Sequence, residues 1–123
     1  MLPSPADLPA PAGPSVIVLH APTLGRGDDE LGARLMGSFL RTLVSVEPKP
    51  DTMVFYNGAV QLLGRDSPHL EALRALDDAG VDMLACVTCL EHYALVDSMA
   101  LGFVSSMRDI LQVTLRAGKV ITP

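Results

Sequence analysis

The chain of 123 residues has no tryptophan, only two tyrosines and three phenylalanines, and just two cysteines. Nucleic-acid readers stack bases on aromatics and track phosphates with clustered Lys and Arg. Here aromatics are 4% of the chain, and nine Lys+Arg face fourteen Asp+Glu for a net charge of −5. Both features argue against that class. No run approaches the ~20 apolar residues of a membrane span. Val16–Leu19 has no basic segment ahead of it and is too short for a secretory signal, so a cytoplasmic chain is expected. There thiols stay reduced, so two cysteines are not expected to form a disulfide framework. A chain of this length can build one self-sufficient hydrophobic core, and no cofactor or membrane partner is expected.

What the chain does have is aliphatic: apolar residues are 49% of it. That content, with modest charge, excludes disorder for most of its length. Five of its ten prolines fall at positions 3, 5, 8, 11 and 14. Proline fixes φ and removes amide donors, so residues 1–15 read as an extended, flexible tail and 16–123 as one domain.

Val16-Ile17-Val18-Leu19-His20 is a continuous apolar run bounded by prolines, the pattern of a strand buried on both faces. Asp28-Asp29-Glu30 suit a helix start, where acidic groups offset the positive dipole end. Apolar positions 31, 35, 36, 39, 40, 43 and 44 then keep helical spacing. The polar stripe Arg34, Ser38, Arg41, Ser45 is thin, so this helix is expected to be covered on two sides. Thr52–Tyr56 reads as a second strand, closed by Asn57-Gly58 and followed by a loop. Ser67-Pro68 reads as an N-cap with proline at the first helical position, and Gly80 as the stop. Val81–Ala85 reads as a third strand ending at Cys86. A short helix is expected around Cys89–Leu95, then irregular chain through Gly102. A last helix, capped by Ser105 or Ser106, carries Met107, Ile110, Leu111 and Leu115 and precedes a short strand at Lys119–Ile121.

Alternating strands and helices predict a parallel α/β sheet with helices on both faces. Chemistry in such sheets gathers at the carboxyl ends of the strands. That rule selects His20, Asn57-Gly58 and Cys86. Cys86-Val87-Thr88-Cys89 is the strongest motif. A thiolate at a strand end, facing the amides that open a helix, has a lowered pKa and attacks sulfane sulfur or a disulfide. The same spacing also serves metal binding, or two cysteines simply packed as small hydrophobes. Zinc takes four ligands as a rule, and Cys86, Cys89 and His92 supply three, so no metal is expected. His20 is a candidate for proton transfer beside the thiols. His69 reads as a surface residue in the first turn of its helix. Gly25-Arg26-Gly27-Asp28 lacks the Gly-Lys-Ser/Thr ending of a phosphate loop and reads as a flexible turn, with Arg26 available to an anionic sulfur species.

Leu24-Gly25-Arg26-Gly27-Asp28-Asp29-Glu30-Leu31-Gly32, Phe55-Tyr56-Asn57-Gly58-Ala59-Val60 and Cys86-Val87-Thr88-Cys89-Leu90 together resemble the DsrE-like sulfur-relay family. The resemblance spans Val16 to Ile121 and is narrowest toward the C-terminal domain of YedF-type proteins. It implies a flavodoxin-like three-layer sandwich, with a mainly parallel sheet of about five strands, assembled as a dimer, trimer or hexamer. It also implies a persulfide on a cysteine just after a strand, the position of Cys86, with Cys89 as a second, resolving or tuning thiol. Arg26, by its charge, and Asn57 and Gly58, by their place at a strand end, are the substrate-side candidates. Val87 stands where the family motif usually carries glycine, which narrows access to the thiol. The small TusA-like domain of full YedF-type proteins is not expected here. Sulfur donor and acceptor proteins, a TusA-like carrier among them, would then be separate chains. The expected function is a sulfur carrier or sulfurtransferase. The alternatives are a non-catalytic oligomeric binding module and a dithiol redox protein using Cys86 and Cys89.

Overall fold

The structure, a computed structural model, describes Ser4 and residues 13–123. Most of the stretch read as a proline-rich tail lies outside the described residues. The elements run β1 (Ser15–Leu19), α1 (Asp29–Ser45), β2 (Thr52–Phe55), a 3-10 helix (Asn57–Leu63), α2 (Leu70–Asp78), β3 (Asp82–Cys86), α3 (Val87–His92), β4 (Phe103–Ser105), α4 (Met107–Arg116) and β5 (Lys119–Ile121). The sheet order is β4-β3-β2-β1-β5, and every pairing is parallel. All five carboxyl ends therefore open on the same edge, as the α/β expectation requires.

Strand alternation divides the core between the two faces. Ile17, Leu19, Met53, Phe55, Met83 and Ala85 enter one cluster with Met36 and Leu40 of α1 and Leu73 and Leu76 of α2. Val16, Val18, Val54 and Cys86 point the other way and pack with Ile110 of α4. The result is three layers: α1 and α2, the sheet, then α4. Asp28 caps α1 by accepting the Leu31 N–H at 2.7 Å, which confirms the acidic start read from sequence. Within this chain α1 is covered on one side only, leaving Leu31 49% and Leu35 43% exposed.

Four local readings differ from the structure. The stretch after Asn57-Gly58 is a buried 3-10 helix, because Ala59, Val60, Leu62 and Leu63 all enter the core. Helix α2 starts at Leu70, two residues beyond Pro68. The Ser67 hydroxyl is engaged instead by the His69 N–H at 3.2 Å, a local turn that competes with capping. Helix α3 begins directly after Cys86, earlier than expected. The irregular chain ends in strand β4, which has only three residues and lies at the sheet edge beside β3.

Candidate functional site

Strands β1, β2 and β3 deliver His20, Tyr56 and Cys86 to the carboxyl edge, each at or just past its strand end. The pairing Leu19 to Phe55 sets His20 beside Tyr56. Their rings stack with centroids 5.7 Å apart and planes 10° from parallel. Across the sheet edge, the Tyr56 hydroxyl reaches Met107 Sδ at 3.5 Å, at the start of α4.

Cys86 belongs to the α4-side core and is 2% exposed, whereas Cys89, one turn into α3, is only half-buried. The sequence reading put helix amides on the Cys86 sulfur. In the structure Cys86 is the N-cap residue of α3, yet its side chain accepts no capping bond. The amide that does meet a sulfur comes from Asn57, whose N–H donates to Cys89 Sγ at 3.0 Å. Asn57 achieves this in the left-handed region, at φ 50°, a conformation asparagine tolerates better than most residues. Tyr93, four residues after Cys89, donates its hydroxyl to Asn57 Oδ1 at 3.4 Å.

Burial pushes the Cys89 thiol above its usual range, and the neighbouring Cys86 side chain pushes it further, while the Asn57 amide pulls it back. Burial chiefly, with the charges of Cys86 and Cys89, likewise raises the Tyr56 phenol. Gly58 fits here because it is small: a Cβ would lie 2.9 Å from Pro22 Cδ and 3.5 Å from the Tyr93 hydroxyl. It lets the loop after β1 close against the start of the 3-10 helix.

A family model for the DsrE/DsrF-like family matches residues 29–123, a stretch holding β2, β3 and both cysteines. The chain belongs to the DsrE/DsrF-like family. It is similar in structure to the protein of unknown function MTH1491 from Methanobacterium thermoautotrophicum. Identity is 25% over 91% of this chain and 100% of that one, with a TM-score of 0.64. The YchN protein from E. coli shares the fold, at 17% identity, 89% and 99% coverage and a TM-score of 0.67. No curated protein matches.

The remaining candidates of this DsrE/DsrF-like chain are distributed unevenly around the cysteines. Asn57, Gly58 and His20 join the constellation directly or through Tyr56. Arg26 is exposed between Gly25 and Gly27, both at positive φ, and has no hydrogen bond or ion pair among the described residues. His92 is exposed and meets Tyr93 edge-on at 4.9 Å. His69 is half-buried rather than a surface residue, with its ring against Gly37 of α1. Among the described residues, no three His, Cys, Asp or Glu side chains are placed to hold a metal ion. No described helix is long and apolar enough to cross a membrane. Sequence reasoning missed Tyr56 and Tyr93. Tyr56 follows the last residue of β2, and Tyr93 is one helical turn past Cys89, so strand-end and i, i+4 spacing are the signals that point to them.

Proposed function

We propose that this chain carries sulfane sulfur on its cysteine pair. Family membership supports a sulfur-relay role, and the observation that favours persulfide chemistry is the Asn57 N–H aimed at Cys89 Sγ. A fixed amide favours the anionic thiolate and terminal persulfide sulfur, and here it offsets part of the burial that raises the Cys89 thiol. The accessible thiol is the one a donor protein meets first, so Cys89 receives the sulfur and the buried Cys86 serves it. This reverses the roles that the family resemblance implies.

In the loading step the Cys89 thiolate attacks the terminal sulfur of a donor persulfide. A new S–S bond forms on Cys89, the donor's S–S bond breaks, and the donor leaves as a thiolate. An acceptor thiolate repeats the displacement and restores Cys89. If no acceptor arrives, the Cys86 thiolate attacks Cys89 Sγ, forming the intrachain disulfide and expelling hydrosulfide; the cysteines are oxidised as the terminal sulfur is reduced. His20, stacked on Tyr56 at the same strand ends, is the candidate for proton exchange. Arg26, exposed on the turn after β1, is the candidate cation for the anionic donor. Donor and acceptor are separate protein chains, a TusA-like carrier being one form, in a reducing cytoplasm. The chain acts as a homo-oligomer, because α4 leaves Met107, Leu111 and Leu115 exposed at 51%, 48% and 81%. Such a contiguous apolar face is characteristic of an interface. Incubation with a low-molecular-weight persulfide donor should add the mass of one sulfur atom to the reduced protein, and a protein with unchanged mass refutes the proposal.

A further inference from the structure

Away from the cysteines, α1 borders two adjoining open hollows of about 300 and 550 Å³, the smaller against α2 and the larger against the Pro68-His69 turn before it, and both are lined by Gly37, Arg41, Pro68 and His69. Gly37 forms a notch at their junction. A Cβ on it would lie 2.9 Å from Arg41 Nη1 and 3.1 Å from His69 Cε1, so both side chains reach into the space that it leaves. Arg34, two turns before Arg41, lines the larger hollow as well.

The groove is basic where the molecule is acidic, at −5: its charged lining is Arg34, Arg41 and one carboxylate, Glu71, and among the described residues neither arginine is ion-paired. Among the described residues the one ion pair joins Lys49 to Glu47. Glu71 rims the smaller hollow without pairing with Arg41. Burial, then the charge of Arg41, holds the His69 imidazole below its usual pKa. That direction favours the neutral ring, which offers one N–H donor. Two guanidinium forks and an imidazole share the groove, and its walls include short apolar side chains such as Val44 and Ala75. Planar guanidinium donors match the paired oxygens of carboxylates and phosphates, and a positive concavity concentrates anions.

We propose that the α1–α2 groove is a binding site for a small organic oxyanion, a carboxylate or phosphate held by Arg41, Arg34 and His69 with its carbon skeleton against Val44 and Ala75. The site is distinct from the cysteine pair and does not depend on sulfur chemistry there.

Inorganic phosphate and succinate, titrated separately into the full chain at constant ionic strength with sodium chloride as the reference, test this by amide chemical shifts. Saturable shifts centred on Gly37, Arg41 and His69 are expected from at least one probe, and which probe acts tells phosphate from carboxylate recognition. Arg41→Gln should weaken that binding about tenfold, the value of losing one charge-assisted contact, and Arg34→Gln should weaken it in the same direction. Arg116→Gln, at the end of α4, should leave it unchanged. Thermal unfolding without ligand verifies that each variant is folded. Sulfur loading of the cysteines should persist in Arg41→Gln. The proposal is overturned if neither probe gives saturable shifts at the groove, or if Arg41→Gln and Arg116→Gln bind equally.

Discussion

Asn57 is the residue whose replacement tests the site most sharply, because its backbone conformation and its contact with Cys89 are coupled. At φ 50° its amide faces Cys89 Sγ at 3.0 Å. The left-handed region costs an ordinary L-residue roughly 1–2 kcal/mol, and a β-branched side chain is among the least tolerated there. Valine still carries the N–H, so the chain either bears that strain or relaxes out of the region and gives up the N–H···S bond, worth roughly 0.5–1.5 kcal/mol. Asn57→Val should therefore destabilise the fold by about 2 kcal/mol, a drop of roughly 8 °C in Tm for a domain of this size. Asn57→Gly keeps the conformation at no steric cost and sacrifices only the long, exposed Tyr93 contact at 3.4 Å. It should stay within about 0.5 kcal/mol of the parent. Thermal unfolding at matched protein concentration reads the stability. The pH dependence of Cys89 alkylation, resolved by peptide mass spectrometry, reads the thiol. The Asn57 amide lowers the Cys89 pKa, so Asn57→Val should move the alkylation midpoint to higher pH and Asn57→Gly should not. The reasoning fails if Asn57→Val is as stable as the parent with an unmoved midpoint, or if the glycine variant loses as much as valine.

Gly58→Ala places a Cβ 2.9 Å from Pro22 Cδ and should cost roughly 1–3 kcal/mol by overpacking; an unchanged unfolding midpoint would contradict the close approach of the two loops. Cys86→Ala removes a neighbour that raises the Cys89 pKa, so the alkylation midpoint of Cys89 should fall and its rate at neutral pH should rise. The same change should cost about 1 kcal/mol of packing against Val16, Val18, Val54 and Ile110. An upward or absent shift of the midpoint would show that the two thiols are not linked. Leu115→Glu puts a charge on the 81%-exposed apolar stripe of α4 and should reduce the mass measured by light scattering to that of one chain. An oligomer of undiminished mass would place the interface elsewhere.

The sheet was legible because β1, β2 and β3 are buried on both faces, and such strands are continuous aliphatic runs in the sequence. Strand β4 escaped notice for the opposite reason: it is a three-residue edge strand with Phe103 and Val104 largely exposed, too short for any period to register. The 3-10 helix was hidden because it is only seven residues long and opens on Asn57-Gly58, a turn signal, although Ala59, Leu62 and Leu63 keep i, i+3, i+4 spacing. Strand-end reasoning placed Cys86, His20 and Asn57 at one edge. It did not show which sulfur would meet an amide, since that depends on the left-handed turn at Asn57 and the register of α3. The sequence reading of His69 as a surface residue failed on a tertiary detail, the notch that Gly37 opens in the facing helix. Exposure of the two thiols, the quantity that orders their roles, likewise depends on where α4 packs.

The central claim is that the cysteine pair carries sulfane sulfur, with Cys89 as the receiving thiol. Its most direct test is intact mass after incubation with a persulfide donor, compared across the parent, Cys86→Ala and Cys89→Ala, with thiols verified as reduced beforehand. The account predicts one added sulfur atom in the parent, retention of the adduct in Cys86→Ala where no resolving thiol remains, and its loss in Cys89→Ala. An adduct undiminished in Cys89→Ala would contradict the assignment of the receiving thiol, and the absence of any adduct in the parent and both variants would contradict the carrier function itself.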